Sequence, residues 1–192
     1  VATEAGLDLH LAAVQSFGIT DPRPYGLDAA VEFPPHTERF LMERSEMPGL
    51  NSGFAGYLED FEAVMKHQLA IELPEYAWYR GVMPSWDNTA RRGDLAHILV
   101  GSSPSLYQTW LRKMVLQAAL RSTVDEPLVF INAWNEWAEG THLEPDRRYG
   151  LAWLEATHNG LRDGIRQYFA TLGHRLSASE ASDHIAVTLP VP

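Results

Sequence analysis

Two glutamates, Glu136 and Glu139, stand three positions apart in the run Asn135-Glu136-Trp137-Ala138-Glu139-Gly140, just behind the apolar stretch Leu128–Ile131. Trp134 and Trp137 flank the first of them. Cleavage of a glycosidic bond needs a proton for the leaving oxygen and a second group where oxocarbenium charge develops. Two carboxylates in different surroundings divide those roles, one ionised and one kept protonated by apolar walls. The tryptophans are expected to supply such walls, and flat aromatic faces also stack on sugar rings. The residues alone leave two readings open: a catalytic pair, or a surface turn holding two unrelated acids.

A second constellation lies in Pro84-Ser85-Trp86-Asp87-Asn88-Thr89-Ala90-Arg91-Arg92. Trp86 is expected to stack on a sugar while Asp87 and Asn88 bond its hydroxyls. Arg91 and Arg92 suit a carboxylate or phosphate on an acidic glycan. The plainer alternative is a capped turn with solvated arginines. A third, Val31-Glu32-Phe33-Pro34-Pro35-His36, offers Glu32 and His36 after an apolar run. His142, just past the glutamate pair, is the other histidine with a place near such a site. No His-Glu-x-x-His or comparable metal spacing occurs, and no cofactor motif is present, so neither metal nor cofactor is expected.

Elements must bring these groups together. Short apolar runs predict buried strands at Leu7–Ser16, Gly26–Pro35, Ala77–Trp86 and Pro127–Trp134. Helical spacing is read over Gly56–Leu69, including Tyr57, and over Ser103–Ser122 behind serine caps. It is read again over Leu151–Leu172. Trp78, Trp110 and Trp153 fall at core-like positions. Alternating strands and helices, with strands apolar throughout, predict a parallel sheet covered on both faces. An open doubly wound sheet would carry a Gly-rich phosphate turn, and none follows any strand. The polar and aromatic residues gather at strand ends instead, as in (β/α)8 barrels, which need about 250 residues. The expected fold class is therefore α/β, a (β/α)8 TIM-barrel type of which this chain holds the C-terminal half to two-thirds. Residues 1–176 form that part, and residues 177–192 a polar tail.

Composition narrows the function. The 192 residues carry a net charge of −10, which disfavours a nucleic-acid partner. The absence of cysteine excludes disulfides and thiolate chemistry. No run reaches the length of a membrane span, and no leader-like start is seen, so a cytoplasmic protein is expected. The first residue is Val1 rather than Met, and the remainder of a longer chain is expected to accompany this one.

The stretch Asn132–Gly150 resembles the signature of the WbsX-type family, named for polysaccharide biosynthesis loci and often labelled as glycosyltransferases. Gly26–His36 and Gly81–Gly93 resemble it as well, in the family's order. That family is similar to glycoside hydrolase family ninety-nine, endo-α-mannosidases and endo-α-mannanases built as (β/α)8 barrels. The resemblance implies that Glu139 is the general acid/base. It implies that Glu136 assists the sugar 2-hydroxyl in attacking the anomeric carbon, giving an anhydro-sugar and net retention. Asn135 and Trp137 belong to the same motif. Those hydrolases carry His where this chain has Ala138. The implied partner is an oligo- or polysaccharide such as an O-antigen or another cell-surface glycan. A glycosyltransferase of lipopolysaccharide biosynthesis is the first alternative, although no Asp-x-Asp motif is present. A non-catalytic glycan-binding module is the second.

Overall fold

The computed structural model describes residues 6–36, 38–121 and 127–172. The expected tail at 177–192 lies outside them. Four parallel strands form one sheet in chain order: β1 (Ala12–Val14), β2 (Ala29–Val31), β4 (Ala77–Val82) and β6 (Val129–Ile131). Val14 is in register with Val31, Val31 with Tyr79, and Val82 with Ile131. Each of the four predicted strands contains one of these in a shorter form. β2 is buried at all three positions, the pattern of a strand covered on both faces.

Four further strands were not expected. β3 (Tyr57–Asp60) pairs in parallel with β5 (His97–Val100) as a separate ribbon. Tyr57 therefore lies in a strand, and helix α1 begins only at Phe61, running to Ala70. The boundary is set by Asp60, whose extended backbone and carboxylate, accepting from Ala63 N–H at 2.6 Å, cap the helix. A four-residue turn of helix, α2 (Thr89–Arg92), follows β4. α3 (Pro104–Leu120) starts as predicted, with Ser103 capping Leu106 and proline at its first position. β7 (Asn135–Glu136) and β8 (Thr141–His142) make a small antiparallel hairpin after β6. α4 (Ala152–Leu172) closes the described chain.

The helices pack on β4 and β6. Phe61, Val64 and Met65 of α1, Tyr107, Trp110, Leu111 and Met114 of α3, and Trp153 of α4 pack with Val82 and Met83 into the main core. Trp78, Trp110 and Trp153 are buried, as their positions suggested. α4 lies close on α3: a Cβ on Gly164 would meet the Arg112 carbonyl oxygen at 2.8 Å. The outer sheet strands differ from this interior. Val14 on β1 and Phe130 on β6 are exposed, as are Leu9, Leu11 and Leu128 beside them. Among the described residues the architecture is thus mixed α/β with a sequentially ordered parallel sheet of four strands that does not close into a barrel.

Candidate functional site

The C-terminal ends of β1, β2 and β4 open into a cleft of about 750 Å³. Residues just beyond the strand ends supply much of its lining. From β1 come Ser16 and Phe17; from β2, Phe33 and His36; from β4, Trp86 and Asn88. Arg91 and Arg92 of α2 line it, with Tyr57 of β3, His97 of β5, Arg39 and Glu139.

Glu139 sits in a one-turn 3-10 helix, Trp137–Glu139, between β7 and β8. Its carbonyl accepts from the N–H of Asp87 at 2.9 Å, and the carbonyl of Gly140 accepts from Ser85 Oγ at 2.6 Å. These bonds fasten the glutamate turn to the end of β4. Its carboxylate is only 13% exposed and meets the Arg91 guanidinium at 2.6 Å. Its nearest charged neighbour is thus a cation. The expected tryptophan walls are not there: Trp134 and Trp137 are 54% and 48% exposed. Trp137 instead donates from Nε1 to Glu144 at 2.6 Å and stacks on His142 with ring centroids 3.7 Å apart.

Glu136 is exposed on β7 and is not among the residues lining the cleft. Asn135 is likewise exposed, in register with His142. His142 accompanies Asp87 in a neighbouring hollow of about 570 Å³ and reaches Asp146 at 3.1 Å. Asp87 accepts from the N–H and hydroxyl of Thr89 in the turn that leads into α2, as in the plainer alternative. Asn88 is buried and accepts from His97 N–H at 2.8 Å, so its side chain ties β5 to the loop after β4.

Trp86 is 4% exposed and belongs to the main core, so it forms the floor of the cleft rather than a free stacking platform. Glu32 is buried too. It meets Arg80 Nε at 3.0 Å and accepts from Gly81 N–H at 2.9 Å. Burial pushes its carboxyl up to about 7, against the opposing pull of Arg80 and Gly81. It faces a separate pocket beside α1, lined also by Gln15, Gln68 and Trp78. His36 bonds Ser16 Oγ through Nδ1 at 2.5 Å. Burial first, and His97 second, hold its imidazole below the ordinary value, while Glu139 acts in the opposite sense. The three groups therefore share one electrostatic environment.

Four residues at or behind the cleft escaped the sequence reading. His97 and Glu59 are buried partners, Nε2 to Oε2 at 2.5 Å, and Phe40 N–H donates to the other oxygen of Glu59 at 2.7 Å. Tyr57 stacks on His97 at 4.4 Å, and Arg39 lies over the Tyr57 ring at 4.3 Å. The available signal was the alternation in His97-Ile98-Leu99-Val100, whose first and third residues are buried.

Residues 1–157 match the family described as Glycosyltransferase WbsX. The chain belongs to that family. Proteins named uncharacterized protein WxcX, from two strains of Xanthomonas campestris pv. campestris, are each 42% identical to it over 154 residues. That match covers 80% of this chain and 22% of the length of those relatives. A solved structure titled glycoside hydrolase-like protein shares the fold, with a TM-score of 0.51 at 14% identity. The superposition covers 83% of this chain and 46% of that one. Among the described residues, no helix is long and apolar enough to cross a membrane. No group of three or more His, Asp or Glu among them is placed to hold a metal ion.

Proposed function

We propose that this chain forms part of a (β/α)8 barrel that processes glycosidic bonds in a polysaccharide, with Glu139 as its general acid/base. The observation that carries this reading is the sequestered carboxylate of Glu139 in a large cleft at the C-terminal ends of parallel strands, which Tyr57 and Phe33 also line. In barrel enzymes chemistry gathers at that end. The remaining strands come from elsewhere in a longer protein, and they cover the apolar edges at β1 and β6. The small share of the WxcX relatives spanned by this chain supports that arrangement.

In this reading Glu139 gives its proton to the glycosidic oxygen as the bond to the anomeric carbon breaks and its electron pair leaves with that oxygen. The sugar 2-hydroxyl attacks the same carbon, losing its proton to Glu136. Water then attacks the anomeric carbon and gives a proton to Glu139, while the bond from that carbon to the 2-oxygen breaks and Glu136 returns its proton to that oxygen, with net retention. Two movements are required. Arg91 must release Glu139, which its 58% side-chain exposure permits. Glu136, exposed at the edge of the fold, must gain a facing wall from the rest of the barrel.

The test uses the full-length protein and two substrates that differ only in leaving group. Glu139→Gln should abolish cleavage of the poor leaving group and spare the activated one, which departs without a proton. Glu136→Gln should impair both. Unchanged turnover in either variant would remove that residue from the mechanism. The family's description favours a second reading, transfer of a sugar to an acceptor. New reducing ends would mark cleavage, whereas an extended acceptor without them would mark transfer.

A further inference from the structure

The charge of the cleft is opposite to that of the protein. The whole chain is at −10, yet three arginines, Arg39, Arg91 and Arg92, line the cleft against the single carboxylate of Glu139. That carboxylate is already matched by Arg91. Among the described residues neither Arg39 nor Arg92 has a carboxylate partner; Arg39 rests over the Tyr57 ring instead. Both are exposed at the rim, and burial does not explain why cations collect there. A low-dielectric hollow lined by one sign of charge concentrates ligands of the other sign. Planar guanidinium forks fit carboxylate and phosphate oxygens two at a time.

We infer that the cleft takes an anionic sugar, whose carboxylate or phosphate is held by Arg39, Arg92 and Arg91 and competes with Glu139 for Arg91. The inference rests on the glycan-processing reading and adds the class of substrate. It also supplies the release that reading requires. In the described arrangement Arg91 holds Glu139. An arriving anion gives Arg91 an alternative partner and frees the carboxylate beside the sugar. A neutral sugar offers no such exchange.

Calorimetric titration of the full chain tests this with four probes: a glucuronate-containing disaccharide, its carboxyl-reduced neutral counterpart, the matching sugar phosphate, and inorganic phosphate. At least one anionic sugar should bind ten-fold or more tighter than the neutral one, and that advantage should shrink as sodium chloride is raised. Arg39→Gln and Arg92→Gln should each reduce it several-fold, and an unchanged denaturant-unfolding midpoint in each variant reports that it folds. Preference for the glucuronate identifies a carboxylate; preference for the sugar phosphate identifies a phosphate. Equal binding of neutral and anionic sugars would overturn the inference and leave the glycan reading standing. Anionic sugars bound no better than inorganic phosphate would keep the anion cleft and remove the glycan reading. Binding of none of the four would overturn both.

Discussion

The N–H of Asp87 donates to the carbonyl of Glu139 across 52 positions of sequence, at 2.9 Å. That bond joins the two motif stretches into one wall. It works only because the chain between Glu139 and Thr141 passes very near the β4 loop. Gly140 makes the passage, with φ of 60° and no side chain to collide. A Cβ there would lie 2.6 Å from the Asp87 carbonyl oxygen.

Gly140→Ala should therefore damage the site from a distance. The left-handed backbone alone costs about 1 kcal/mol for alanine, and the collision with main chain adds to it. We expect about 1–3 kcal/mol lower stability by denaturant unfolding. Under the proposed role of Glu139, turnover should fall further than that loss explains. A variant with unchanged stability would show that the Asp87–Glu139 contact bends easily.

Trp86→Ala tests a revision. The sequence suggested a sugar platform, but the residue is 4% exposed and packed with the main core. Truncating such a side chain typically costs about 3–5 kcal/mol. Stability should collapse before glycan affinity per folded molecule changes. A stable variant with weakened glycan binding would restore the platform role.

Glu32 gives the fold a pH signature. Burial raises its pKa in the folded state to about 7, from an ordinary 4.5, so the folded chain holds this proton longer than the unfolded one. Stability from this group is fully present below pH 4.5 and falls as pH rises through about 7. Glu32→Gln removes the titration. The wild-type stability minus that of the variant should fall by roughly 1–3 kcal/mol across that window and then level off. Parallel profiles would mean that Glu32 is ionised throughout, held by Arg80.

What the sequence showed and what it hid follow from how each signal is encoded. The four sheet strands were legible because full burial writes continuous apolar runs, as in Ala29-Ala30-Val31. The core tryptophans were legible through helical spacing. β3 was hidden because Tyr57 and Phe61 fit one helical period, and only the cap at Asp60 separates strand from helix. The Glu139 neighbourhood was half legible. The motif marked the residue, but its nearest cation comes from a helix some fifty positions earlier, which no local pattern encodes. Glu59 and His97 were hidden for the same reason: each reads as an ordinary polar residue until the β3–β5 pairing brings them together.

That buried pair supports the last prediction. Glu59 is 4% exposed and His97 5%, and the carboxylate also satisfies Phe40 N–H. Removing one member leaves the other without its partner, and breaking buried pairs in this way costs about 3–5 kcal/mol. Replacing both with apolar groups of similar shape is often nearly neutral. Glu59→Leu alone should thus destabilise strongly, while Glu59→Leu with His97→Phe should recover much of the loss. Function should separate from stability here. His97 lines the cleft and touches Tyr57, so the double variant is expected to fold yet lose ligand affinity several-fold. Denaturant unfolding and titration of the same samples measure both. If the double variant bound ligand as the wild type does, the Glu59–His97 pair would be a brace between β3 and β5 and nothing more.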